Sequence, residues 1–389
     1  MVALFLAILC GILLGTISGL IPGIHSNTIA SLLSTLPLQA EFFPYIVAAV
    51  LGAHLIFSFF PSIFLSIPDD AVAASVLPGH KMAIQGKGKE ALEICIFSAL
   101  IAALASALLF PAATWVLPAL YSLVEPNLAP ILVIASAFLL LSEKGADKII
   151  FAAGVFLLSG MLGLATARLG ISDPLFPAFS GLFASSGILL SLASNQWPAK
   201  QKEAKTKIDF LGFVALGVAF GMLSDLLPGF AAPAQIAIFA SLLLQPSSPK
   251  QFLALIAAIA ASHSIFSFAA LSSIGKAREG SVAIMQQVAH LEPAQLPSLV
   301  GTVLLSAGIS GLALVLASRR ISGLEKLGSK TFGILVLAYL IGAVAIISGI
   351  AGLIVFATAT AIGLIPPLLG VRRTHVMGLI IVPSIAFAI

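Results

Sequence analysis

The sequence predicts an all-α polytopic membrane protein made of two inverted-topology repeats with broken, re-entrant helices. Three observations lead there. The 389 residues are 60% hydrophobic and only 9% charged, with a mean hydropathy of +1.15, whereas charged residues make up about a quarter of a soluble domain. Apolar stretches of roughly the 20 residues that cross a bilayer recur from end to end. Finally, Gly15–Leu33, reading GTISGLIPGIHSNTIASLL, returns at Gly221–Leu243 as GMLSDLLPGFAAPAQIAIFASLL.

In chain order the apolar stretches are Val2–Leu20, Tyr45–Ile67, Ala91–Phe110, Leu128–Leu141, Ile149–Ala165, Ser180–Leu192, Phe210–Leu223, Phe252–Leu271, Leu296–Ala317, Phe332–Ile347, Leu353–Leu364 and Val376–Ile389. No soluble domain fits between them. The N-terminal MVALFLAILCGILLG has no Lys or Arg and runs straight into the repeated motif, so it reads as a mature span and not a cleaved signal. Cys10 and Cys95 lie in apolar stretches as isolated buried thiols and supply no disulfide framework. The net charge of +4 belongs to loops and forms no nucleic-acid patch.

Pro22-Gly23 returns as Pro228-Gly229, displaced by 206 positions, and His54-Leu-Ile-Phe-Ser-Phe59 returns as His263-Ser-Ile-Phe-Ser-Phe268, displaced by 209. The near-equal displacements mean one duplicated unit, with repeats at 1–194 and 210–389 and a linker at 195–209. Lys and Arg gather in cytoplasmic loops, and the loop charges alternate between the copies. His80–Lys89 holds Lys81, Lys87 and Lys89, against no Lys or Arg in Gln286–Pro293. Leu117–Glu125 has none, against Arg319, Arg320, Lys326 and Lys330 in Arg319–Lys330. Glu143–Lys148 has two lysines, against none in Ile346–Ala351. The copies are therefore expected upside down relative to each other in the cell membrane. The N-terminus is then outside, and the linker with Lys200, Lys202, Lys205 and Lys207 is cytoplasmic.

Each Pro-Gly pair then belongs to a hairpin that returns to its own side. Irregular backbone at membrane depth survives only inside protein or against a wet cavity, so the two tips are expected to meet in the interior, where transporters with paired broken helices hold their sites. After Pro22-Gly23 the run Ile24-His25-Ser26-Asn27-Thr28 supplies N-cap types ahead of an apolar helix, Ile29–Leu36. The free N–H groups and positive dipole end of such a half-helix suit an anion. Pro228-Gly229 does the same in the second copy, with Pro233 suited to a first helical position and Gln235 available for hydrogen bonding. A Pro-Gly pair can also do no more than kink a helix, a reading that its recurrence disfavours.

A second constellation follows the phenylalanine-rich stretch: Pro68-Asp69-Asp70 in the first copy and Lys276-Ala277-Arg278-Glu279 in the second. At a displacement of 209, Asp69 aligns with Arg278 and Asp70 with Glu279, so the copies have diverged in charge. Candidate substrate-binding residues are accordingly Pro22, Gly23, His25, Ser26, Asn27, Pro228, Gly229, Gln235, Lys276 and Arg278. Candidate coupling-ion ligands are Asp225, which stands inside an apolar run where the first copy has Gly19, together with Asp69 and Asp70. A solvated loop end or a structural Asp–Arg pair is the plainer alternative for the charged loop. His54 and His263 are matched but fit packing roles as well as proton carriage. Arg168, Asp173, Arg372 and Arg373 fall at a further matched pair, Gly163–Gly170 against Gly363–Gly370, and read as hairpin ends or loop charges.

Asp69-Asp70 begins no DDxxD signature, and no HExxH, GxSxG or Walker A loop occurs, which argues against an enzyme. The run FSFFPSIFLSIPDDAVAASVLPGHKMAIQGKGKEAL from Phe57 to Leu92 resembles a segment of the large membrane subunit of tripartite tricarboxylate transporters, the TctA family. Gly79-His80-Lys81-Met82-Ala83-Ile84-Gln85-Gly86-Lys87 stands where that family has its Gly-aromatic-Pro-Met-Ala-x-x-Gly-Lys tail, and Gly-Leu-Ile-Pro-Gly at the first break is the second shared motif. The chain departs from the family at Pro22-Gly23-Ile24-His25 and Pro68-Asp69-Asp70, and it is short for that subunit. The resemblance implies a secondary permease for an organic anion such as a di- or tricarboxylate, coupled to H⁺ or Na⁺ with no other cofactor. It also implies a small membrane subunit and an extracytoplasmic binding protein as partners. The competing readings are a polyprenyl-phosphate translocase, since a half-helix N-terminus also suits phosphate, and an intramembrane lipid-modifying enzyme using Asp69, Asp70 and the histidines.

Overall fold

The computed structural model of the protein describes residues 2–21, 24–36, 41–65, 67, 76–171, 174–194, 200–203, 210–227, 232–320 and 330–388. Among them every regular element is helical, and eight helices are long and apolar enough to cross a membrane. In order these elements are α1 (Val2–Leu20), α2 (Ser26–Ser34), α3 (Phe43–Phe64), α4 (Val76–Ile84), α5 (Gly88–Val124), α6 (Leu128–Leu141), α7 (Ala146–Arg168), α8 (Leu175–Phe179), a π-helical stretch Ser180–Ser185 and α9 (Ser186–Ser194). Then follow α10 (Leu211–Ser224), α11 (Ala232–Leu244), α12 (Pro249–Ile274), α13 (Gly280–Ala289), α14 (Leu296–Arg320), α15 (Lys330–Leu369), a 3₁₀ turn Arg373–Met377 and α16 (Gly378–Ala388).

The expected stretches Phe332–Ile347 and Leu353–Leu364 are the two limbs of α15, which bends at Gly349 through φ 63° and ψ −159°. Others lengthen: Ala91–Phe110 becomes the 37-residue α5, about 55 Å long at 1.5 Å per residue. It continues through Pro111 and Pro118, which an isolated helix would not tolerate well. By contrast α2 has nine residues, roughly 14 Å, and cannot cross a hydrocarbon core of about 30 Å. It begins at Ser26 and not Ile29, so the N-cap types Ser26, Asn27 and Thr28 form its first turn, with His25 in extended conformation at the cap.

Small residues let the helices touch backbone to backbone, as expected where lipid supplies no hydrophobic drive between helices. A Cβ on Gly15 of α1 would stand 2.5 Å from the Val50 carbonyl of α3. Gly11 meets Ile46 in the same way, while Gly217 and Gly221 of α10 meet Leu255 and Ile259 of α12. The glycines are 206 apart and their partners 209 apart, the displacements read from the sequence. The opposite face of α1 presents Phe5, Leu6, Leu13 and Ile17 outward. Cys10 is also on an exposed surface, which corrects its reading as a buried thiol, whereas Cys95 is enclosed.

A second set of contacts is reciprocal. Gly163 of α7 lies against the Leu379 carbonyl of α16, and Gly363 of α15 against the Leu182 carbonyl of the π-helical stretch. Gly378 meets the Phe156 carbonyl, and Gly181 meets that of Phe356. Each half thus lends its later helices to the other. Likewise α3 packs on α14 and α12 on α5, and the largest apolar core draws on α1, α3 and α5 together with α10, α12 and α14. The described part of the expected linker, 200–203, is itself docked: Gln201 is buried, accepts the Gly88 N–H at 2.7 Å and donates to the Ala83 carbonyl at 3.0 Å.

This packing predicts that Gly15→Ala lowers the midpoint of thermal unfolding, by the ~1–3 kcal/mol typical of an overpacked contact. Gly212→Ala, which adds its methyl to open space, leaves the midpoint unchanged or slightly raised. Melting curves of the two variants in one detergent make the comparison.

Candidate functional site

α3 and α12 are the most enclosed of the long helices, and each carries a buried histidine facing the helix that precedes a chain break. His54 Nδ1 lies 2.9 Å from Ser18 Oγ of α1, and His263 Nδ1 lies 3.0 Å from Ser224 Oγ of α10. The serines are 206 apart and the histidines 209 apart. In the first copy the residue after the serine is Gly19, pressed against the His54 carbonyl. In the second it is Asp225, fully buried at the C-cap of α10.

Around His263 the second copy builds a charged group. Asp225 Oδ1 is 3.1 Å from His263 Nδ1, and Glu279 Oε2 is 3.7 Å from Nε2. Asp225 Oδ2 has no hydrogen-bond partner among the described residues. Glu279 caps α13, its carboxylate accepting the Ser281 N–H, and the loop carrying it is fixed by Ser267, one turn beyond His263 on α12. Ser267 Oγ accepts the backbone N–H groups of Arg278 at 3.0 Å and Glu279 at 2.8 Å. The Arg278 side chain turns back to donate from Nε to the Asp225 carbonyl at 3.3 Å.

The first break meets this group directly. Ser281 Oγ donates to Asn27 Oδ1 at 3.0 Å, and Gly280 lies so close to the Asn27 amide that a Cβ there would stand 2.6 Å from Nδ2. His25 stands edge-on to His54 with ring centroids 6.4 Å apart. Polar side chains of the two halves therefore meet here: Asn27 bonds Ser281, whose N–H is accepted by Glu279, and Glu279 and Asp225 flank His263, while Ser18, His54 and His25 lie alongside in the first half.

Of the residues singled out in the sequence, the structure gathers His25, Ser26, Asn27, Asp225 and Arg278 here. Lys276 instead lies at an exposed edge, where it pairs with Glu125 at 2.9 Å and sits over the Tyr121 ring. Gln235 is buried on α11 and donates to Ser384 of α16 at 3.1 Å. Pro22, Gly23, Pro228, Gly229, Asp69, Asp70 and Asp173 lie outside the described residues.

Comparison with known proteins covers most of the chain. Residues 5–378 match the Tripartite tricarboxylate transporter TctA family. The chain belongs to the TctA family. An uncharacterized protein of Methanocaldococcus jannaschii, MJ1079, is 27% identical over 400 residues, covering 98% of each chain. No solved structure matches. With the apolar helices, TctA membership makes this a multi-pass membrane protein from a family of transporters, a component of the tricarboxylate type.

A second polar cluster, unremarked in the sequence beyond its arginines, joins the end of α6 to the turn Arg373–Met377. Glu143 accepts the Arg372 N–H and the His375 imidazole, both at 2.9 Å. Arg373 is not a loop charge: its guanidinium turns inward to Ser186 Oγ at 3.2 Å. Burial works against a charge on Glu143, but the Arg372 and His375 hydrogen bonds outweigh it and hold the carboxyl below its ordinary value. A depressed carboxylate stabilises the fold fully above its unfolded pKa, about 4.3, and loses that contribution as pH falls through the folded value. The stability margin of wild type over Glu143→Gln is therefore expected to shrink as pH falls below about 4.3, read from melting midpoints in a series running down from about pH 5.

Proposed function

We propose that this TctA chain is a secondary permease that moves an organic anion, a di- or tricarboxylate, coupled to a cation. The observation that carries the reading is the meeting of Asn27, at the start of α2, with the group of Asp225, His263 and Glu279, of which Asp225 and His263 are buried among apolar helices. An ionisable group at such a depth is costly and is kept where it binds something that moves. A proton suits the group better than sodium, because an imidazole nitrogen stands between the two carboxylates and hard metal cations take oxygen ligands. The anion would lie between the first turn of α2, with His25, Ser26 and Asn27, and the Arg278 guanidinium. Lys276, already engaged by Glu125, has no part in this arrangement.

Family membership favours transport over the polyprenyl-phosphate and lipid-modifying readings, and it implies a small membrane subunit and an extracytoplasmic binding protein as partners. Uptake of citrate into proteoliposomes tests the scheme. Asp225→Asn is expected to abolish uptake driven by a proton gradient while leaving citrate counterflow measurable. Arg278→Gln removes one charge-assisted contact and should weaken citrate roughly ten- to a hundredfold. Driven uptake unchanged in Asp225→Asn would remove that carboxylate from the mechanism.

The same proposal takes the repeats as inverted in the cell membrane, with the N-terminus outside, from the alternating loop charges. Lys200 and Ala294 are exposed and lie in the two loops expected on opposite sides. Cysteines introduced as Lys200→Cys and Ala294→Cys should react with an impermeant maleimide from opposite sides. Labelling of both from one side contradicts the inversion.

A further inference from the structure

We propose a second anion site, away from the Asp225 group, in the cavity enclosed by the ends of α6 and α11, the start of α12 and the turn after α15. It rests on the organic-anion reading above only for the class of ligand. The cavity holds about 620 Å³, within the usual range for small-molecule sites of about 300–1,000 Å³. Its charged lining residues are Lys144 and Arg372, with no acid among the described residues that line it. Lys144 is exposed and forms no ion pair among the described residues. Arg372 donates to Ser142 Oγ at 3.1 Å and reaches Glu143 only at 3.9 Å, which leaves part of its five-donor fork for a ligand. Glu143 is the nearby acid, and its charge is shared with His375.

One further feature belongs to this cavity. Gln245, in its lining, holds φ of 44° at the end of α11, a left-handed conformation uncommon for a residue other than glycine. Such strained residues gather at ligand-binding positions. Two cations and an amide around one cavity suit a multiply charged carboxylate, with Arg372 able to grip one carboxylate through two N–H groups.

Cysteine protection tests the site. Ser241→Cys places a thiol on the cavity wall by a near-isosteric change, and Ser247→Cys places one on the adjoining loop outside it. Wild type, with Cys10 and Cys95 in apolar helices, is the blank. Citrate is expected to slow reaction of Ser241→Cys with a neutral, water-soluble maleimide and to leave Ser247→Cys unaffected. Adding Lys144→Gln or Arg372→Gln should raise the citrate concentration for half-protection about tenfold. Arg278→Gln should not change it, so loss of the Asp225-side anion site and loss of this one are read separately. The proposal is overturned if citrate gives no protection, or equal protection with and without Lys144 and Arg372. It is also overturned if only phosphatidylglycerol nanodiscs, and not citrate, protect the thiol, because the cavity would then hold a lipid headgroup.

Discussion

Every interruption of a helix inside a bilayer exposes backbone donors and acceptors that hydrocarbon cannot satisfy, and the architecture is arranged around two such interruptions. Both follow helices, α1 and α10, that press a glycine face onto α3 and α12. Because those two contacts bring backbone to backbone, the chain can stop being helical only where an enclosed partner is already alongside. The histidines sit at that point: Ser18 and Ser224, in the last turn before each break, meet His54 and His263. The polar contacts there follow from where glycine packing lets the helices end.

The copies share this frame and differ in what they put on it. Gly19 keeps the first copy close-packed, whereas Asp225 gives the second a buried carboxyl, with Glu279 and Arg278 supplied by a loop that Ser267 pins to α12. The recurrent helix pair provides two serine–histidine contacts of similar construction, and divergence at a few positions makes their surroundings chemically unlike. The second is not complete within its own half, since Asn27 reaches it through Ser281.

Much of this is legible in the sequence because duplication states a constraint twice. The displacements of 206 and 209 pick out the recurrent helix pair from residue order alone, and Asp225 stands out as an acid in an apolar run. Glu279 reads only as a neighbour of Arg278, because its role depends on the turn between α12 and α13 folding back on His263. Lys276 looks equivalent to Arg278 by charge and proximity, and both lie over the Tyr121 ring, but Lys276 pairs with Glu125 while Arg278 donates to the Asp225 carbonyl. The start of α2 falls earlier than its residue types suggest, because Ser and Asn serve equally well as caps and as first-turn residues. Burial of Arg373 and docking of Gln201 involve partners more than a hundred positions away, which local pattern does not reveal.

The exchange of helices between the halves bears on the order of assembly. The groove of α7 around Gly163 is filled by Leu379 of α16, and Gly378 closes on Phe156, so a segment finished early in synthesis waits for residues made much later. Until those later residues exist, the small-residue face of α7 lacks the packing it has in the folded protein. The nascent chain therefore cannot complete its first half until most of its second has entered the membrane.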